Sequence, residues 1–89
     1  MTINFIVDDN GKKRNVCYDE NIKVSAFMKD YVTKYTNYPE VDSSVYNFSI
    51  KGKQLMLPRF QSKLLKSVIE EGATINFSRK KDMEYSNLR

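Results

Sequence analysis

Histidine and tryptophan are absent from this chain, and cysteine occurs once, at Cys17. A single cysteine forms no intramolecular disulfide, and without histidine it cannot complete a four-coordinate nitrogen–sulfur zinc site. The usual catalytic pairings lapse as well. There is no Cys–His pair and no phosphate-cradling glycine loop, because the glycines are Gly11, Gly52 and Gly72, each in a turn-like stretch. Asp8-Asp9 and Glu70-Glu71 are expected as solvated turn carboxylates rather than an acid–base pair. The sequence therefore points to no enzyme, no metal, no cofactor and no small-molecule substrate. Long hydrophobic runs are missing too: none approaches the ~20 apolar residues of a membrane span, and Met1 leads straight into strand-like sequence. An intracellular, cytoplasmic protein without membrane contact is expected.

What is present suits a small globule. At 89 residues the chain has room for one domain, which buries roughly two thirds of its unfolded surface. Hydrophobic residues make up 40% and aromatics 12%, all of them Tyr or Phe, which is enough for a packed core. Fifteen basic residues against 11 acidic ones leave a net charge of +4, a mild bias toward acidic partners.

Period-two alternation over residues 1–7 puts Met1, Ile3, Phe5 and Val7 on one face of a strand. Asn10-Gly11 then marks a tight hairpin, and Lys12 to Tyr18 returns with Val16 and Tyr18 inward and Lys13, Asn15 and Cys17 outward. Val24, Phe27, Met28, Tyr31, Val32 and Tyr35 share one helical stripe, with Asn21 as the expected cap and Thr36-Asn37-Tyr38-Pro39 as the stop. After a polar connection, 40–44, a third strand opens at Val45-Tyr46 and carries Phe48 and Ile50 inward. Lys51-Gly52-Lys53 reverses the chain, and Gln54-Leu55 starts a short fourth strand that Pro58 stops. Ser62 is expected to cap one helical turn bearing Leu64 and Leu65. The last strand runs from Ala73 to Ser78 with Ile75 and Phe77 inward. A sheet of this kind must bury one face, and the amphipathic helix is the element able to cover it. The expectation is an α+β, β-grasp arrangement over residues 1–80 with a mixed four- to five-stranded sheet, followed by a polar tail, 81–89.

Several stretches, in order, resemble the ubiquitin-like family. They are the opening strand MTINFIV, Asn10-Gly11-Lys12, the helix start Lys23-Val24-Ser25-Ala26-Phe27, Tyr38-Pro39, the turn SIKGKQLM from Ser49, and SVIEEGATINF from Ser67. The resemblance implies the same β-grasp fold and a role in protein recognition. Two departures limit it. Conjugated modifiers of the family end in glycine, whereas here no glycine follows Gly72, so a conjugatable tag is not expected. The family's apolar recognition patch is replaced by Ser49, Ser78 and Asp8 or Asp9, so readers of that patch should not bind.

On the outer sheet face, Asn4, Ile6, Asn47, Ser49, Lys51, Lys53, Asn76, Ser78 and Lys80 are expected together, a polar, basic and nearly acid-free surface for an acidic protein partner. Met56-Leu57 and Phe60 join Ile6 as candidate apolar anchors. The expected function is a non-catalytic interaction module, an adaptor or a small subunit of a larger assembly. Two alternatives stand beside it. Lys12, Lys13, Arg14 and Lys29 are similar in kind to the basic edge with which Ras-association domains meet a GTPase strand. The clusters Lys12-Lys13-Arg14 and Arg79-Lys80-Lys81, with Tyr85, suit an RNA-binding accessory protein, although the outer face offers no aromatic stacking pair.

Overall fold

A computed structural model describes residues 1–36 and 46–79, the Arg79 side chain excepted. The expected helix stop at Tyr38-Pro39, the 40–44 connection, Val45, Lys80 and the 81–89 tail lie outside the described residues. The elements are β1 (Thr2–Asp9), β2 (Lys12–Asp19), α1 (Val24–Tyr35), β3 (Tyr46–Ile50), β4 (Lys53–Gln54), α2 (Pro58–Gln61), a 3-10 turn (Leu65–Ser67) and β5 (Thr74–Arg79). They form one mixed five-stranded sheet in the order β2-β1-β5-β3-β4, in which only β1 and β5 run parallel.

Two hairpin turns set the registers. Asn10 and Gly11 both adopt positive φ, 52° and 92°, which lets a two-residue loop follow the strand twist, and Asp9 pairs directly with Lys12. The Asp8 carboxylate holds the turn from below, accepting the Gly11 N–H at 2.8 Å. Lys51 and Gly52 repeat the pattern with φ of 49° and 81°. The second turn is thus one residue shorter than expected. Ile50 pairs with Lys53, and β4 begins at Lys53 rather than Gln54.

One face of the sheet presents Ile3, Phe5, Val7, Val16, Phe48, Ile50, Ile75 and Phe77 to α1, which buries Val24, Phe27, Met28, Tyr31 and Val32 against them. Phe27 sits at the centre, with ring centroids 5.4 Å from Phe5, 5.0 Å from Tyr18 and 5.7 Å from Phe48, in edge-to-face geometries that suit aromatic quadrupoles. Leu55, Leu65 and Ile69 close the end of the core.

Several local expectations differ from the structure. Met1 is 90% exposed because pairing starts at Thr2. Tyr35 ends the helical stripe at 38% exposure rather than inside. The cap position of α1 is Lys23, not Asn21, and no side chain caps it. Main-chain bonds serve the helix start instead: Val24 N–H donates to the Lys63 carbonyl and Phe27 N–H to the Lys23 carbonyl. Pro58 does more than end a strand. It opens α2, where its missing N–H costs nothing, and Ser62 closes that helix instead of capping the next turn.

Phe27→Ala removes the ring that joins three strands to the helix, and about 3–5 kcal/mol of stability should go with it. A domain of this size holds only about 5–15 kcal/mol in total, so the urea midpoint should fall sharply. A loss below about 1 kcal/mol would show that helix docking does not rest on this ring.

Candidate interaction surfaces

The alternation that buries Ile3, Phe5 and Val7 turns Thr2, Asn4, Ile6 and Asp8 to the opposite face of the sheet. The strand registers bring four of the sequence-selected residues together there: Asn47 lies opposite Ser78, and Ser49 opposite Asn76. Ile6 pairs with Thr74 on the same side, one strand away, and is partly exposed. The centre of the outer face is therefore a field of short hydrogen-bonding side chains beside one large apolar group.

The charge pattern differs from the expectation. Because Lys53 pairs with Ile50, whose side chain is buried, it belongs to the helix side of the sheet, and Gln54 takes the place beside Ser49. The outer face is also not acid-free. Glu71 grips Asn4, accepting its main-chain N–H at 2.9 Å and its side-chain amide at 3.2 Å, and Asp8 stands opposite both Lys13 and Asn76. Lys51 reaches Glu70 at 3.8 Å, both side chains being largely solvated, so this contact holds little energy.

Lys51 and Lys53 are brought together elsewhere. With Lys66, which sequence reasoning did not single out, they line a cleft of about 230 Å³ whose apolar side is Ile50, Val68 and Ile69. That volume falls below the ~300 Å³ at which small-molecule pockets begin and suits a single side chain of a protein partner. Of the other anchor candidates, Met56 and Phe60 are half-buried against the core, whereas Leu57 is 40% exposed.

The alternative edge set is divided. Lys12 and Lys13 point to opposite faces of β2, both exposed, and Lys29 is exposed on α1. Arg14 is committed inward. Its Nη1 lies 2.7 Å from Asp9 Oδ2 and 3.0 Å from the Tyr31 hydroxyl, and its guanidinium stacks 4.5 Å from the Tyr35 ring centroid. Asp9 is thus no solvated turn carboxylate. It continues the inward alternation of β1 and is 6% exposed. Hydrogen bonding to Tyr31, reinforced by Asp9, raises the Arg14 pKa, while burial raises that of Tyr31. A second tie joins β2 to α1: the Tyr18 hydroxyl donates to Asp30 Oδ2 at 2.7 Å, and Lys34 stands 3.1 Å from the same oxygen. Burial, then Asp30, pushes the Tyr18 phenol upward, and the Tyr18 hydrogen bond holds Asp30 below its ordinary value.

Cys17 is exposed on the outer face of β2, opposite Asn4. Among the described residues no three His, Cys, Asp or Glu side chains converge on a metal-sized site, and no helix is long and apolar enough to cross a membrane.

No protein-family model matches the chain, and no curated protein matches it. Solved structures do. The ubiquitin-like domain of Plasmodium falciparum Dsk2 is similar over 90% of this chain and 100% of its own, with TM-score 0.65 and 22% identity. A ubiquitin-like domain of Arabidopsis thaliana is similar over 97% of this chain and 85% of its own, with TM-score 0.69 and 20% identity. The ubiquitin of Caldiarchaeum subterraneum covers 90% of this chain and 95% of its own at TM-score 0.69 and 12% identity. The chain has the ubiquitin-like β-grasp fold.

The inward network yields two predictions. Arg14→Ala strips Asp9 of its guanidinium and should cost about 3 kcal/mol in chemical unfolding, whereas Lys13→Ala should stay within about 0.5 kcal/mol. Equal effects would dismiss the network as a stabilising element. The second concerns alkaline pH. Phenols whose pKa is raised in the folded state favour folding while protonated, so this stabilisation is complete below about pH 10 and is lost as pH rises through the folded values. Folded Tyr18→Phe should then show the same tyrosinate absorbance at about pH 10.5 as the parent protein, because Tyr18 does not ionise there. A smaller signal in the variant would count against a raised Tyr18.

Proposed function

We propose that this domain is a non-catalytic protein–protein interaction module that engages an acidic protein surface through its outer sheet face and the adjoining lysine-lined cleft. The observation that carries this reading is the outer face itself. Asn76 and Ser78 are exposed there and Asn47 and Ser49 partly so, and these side chains offer hydrogen-bond donors and acceptors around the apolar Ile6. Lys51, Lys53 and Lys66 stand at the β3–β4 end, and among the described residues only Glu70 lines the cleft with them as an acid. Three cations around an apolar recess suit a partner side chain flanked by carboxylates. Charges so exposed act mainly through on-rate and specificity, which makes the association salt-sensitive. The outer face has no aromatic residue among those described, which weighs against a base-stacking platform for RNA.

Affinity capture from native lysate, with variants alongside, tests this. A Lys51→Glu/Lys53→Glu/Lys66→Glu protein and a separate Asn76→Arg protein should each lose the captured set by about tenfold or more. Equal recovery by all three proteins, or recovery dominated by RNA, would overturn the reading.

A further inference from the structure

β2 is an edge strand, and the pairing of β1 with it shows which groups it leaves open. Glu20 N–H donates to the Met1 carbonyl, while Ile6 N–H turns the other way to the Ala73 carbonyl. Main-chain bonding alternates along an antiparallel pair, so Lys12, Arg14, Val16 and Tyr18 bond to β1. Lys13, Asn15, Cys17 and Asp19 direct their N–H and C=O groups away from the sheet. This edge is 8 residues long, and its register with β1 is continuous from Thr2–Asp19 to Asp9–Lys12 without a bulge. Among the described residues no strand pairs with it. A long edge without a bulge accepts another strand unless something prevents it.

The charge order along the strand says which one. Lys12, Lys13 and Arg14 stand at one end, Asp19 and Glu20 at the other, and Asn15, Val16, Cys17 and Tyr18 between them. Edge lysines repel generic strands, and a parallel copy would set lysine against lysine. An antiparallel copy reverses the order and sets opposite charges together.

We infer that the β2 edge is a self-recognition surface, on which a second copy of this chain adds its own β2 antiparallel to extend the sheet across a twofold axis at Val16. In that register Asn15 and Cys17 each exchange main-chain bonds with the other residue of the partner copy. Lys13 lies opposite Asp19 on the outer face, and Lys12 lies opposite Glu20 on the helix side. Asp19 contributes its N–H and its carboxylate, since its carbonyl already accepts from Ile22 and its Oδ1 from Asn21. Val16 meets Val16 at the axis. Registers two residues to either side bring fewer opposite charges together, so charge fixes the alignment as well as the direction.

The test is a charge swap read by analytical ultracentrifugation of the whole chain. The parent protein should self-associate reversibly to a dimer. Lys13→Glu alone and Asp19→Lys alone should each weaken association by about tenfold or more, and the double variant should regain it. A bis-maleimide should join Cys17 to Cys17, diagonal neighbours about 7 Å apart in this register, in the parent and the double variant but not in the single ones. Circular dichroism of each variant confirms that the fold is retained, since both positions are exposed. A monomer at every concentration up to millimolar, or a dimer indifferent to the single charge reversals, would overturn the inference.

Discussion

Everything in this domain hangs on one contact, the seating of Phe27 and Tyr31 of α1 in the hollow of the sheet. Phe27 reaches β1, β2 and β3 through Phe5, Tyr18 and Phe48, and Tyr31 reaches β3 and β5 through Phe48 and Phe77. Two side chains one helical turn apart therefore touch each of the four longer strands. Their burial fixes the crossing of the helix over the sheet. That crossing decides which sheet face stays open. The polar character of the outer face is the counterpart of this seating: once the apolar half of the alternation is spent on the helix, Asn47, Ser49, Asn76 and Ser78 are left for water or a partner.

The Tyr31 hydroxyl adds a polar constraint at the rim of the same contact. A phenol buried this far needs a partner, and Arg14 and Asp9 provide one while satisfying each other. An ion pair so placed adds little over a hydrophobic substitute, but it tolerates the loss of either member poorly. Its effect is on register. Slipping β1 against β2 by one residue would put Asp9 and Arg14 on opposite faces of the sheet, breaking their ion pair and leaving the phenol with one partner at most. The network thus guards the pairing that the Asn10-Gly11 turn initiates.

The sequence disclosed most where a local rule and the tertiary outcome agree. Asn10-Gly11, the five buried positions of α1 and the alternation of β1, β3 and β5 were all legible because each obeys its own period. Legibility failed where a single residue of register was at stake. Counting the second turn as Lys51-Gly52-Lys53 rather than Lys51-Gly52 moved Lys53 to the wrong face, since a strand changes side at every residue. Asp9 was misplaced for a related reason: alternation predicts its inward side, but a carboxylate there is credible only with Arg14 and Tyr31 in view, and they lie five and 22 residues away. Lys66 gave no signal at all. Its importance comes from the fold bringing the 3-10 turn beside β3 and β4.

The position of β5 has a consequence for how the molecule comes into being. Thr74–Arg79 lies between β1 and β3, which do not pair with each other, so within the sheet the two hairpins are joined through β5, the last of the described strands to be synthesised. A nascent chain emerging from the ribosome can form the first hairpin and a fluctuating α1. It cannot close the core until β5 is free of the exit tunnel. Folding is then delayed until after the strand is released, and contacts of long sequence separation set its rate. Until that moment both sides of the gap expose unpaired strand edges. The growing chain is most vulnerable to aggregation just before β5 joins the sheet.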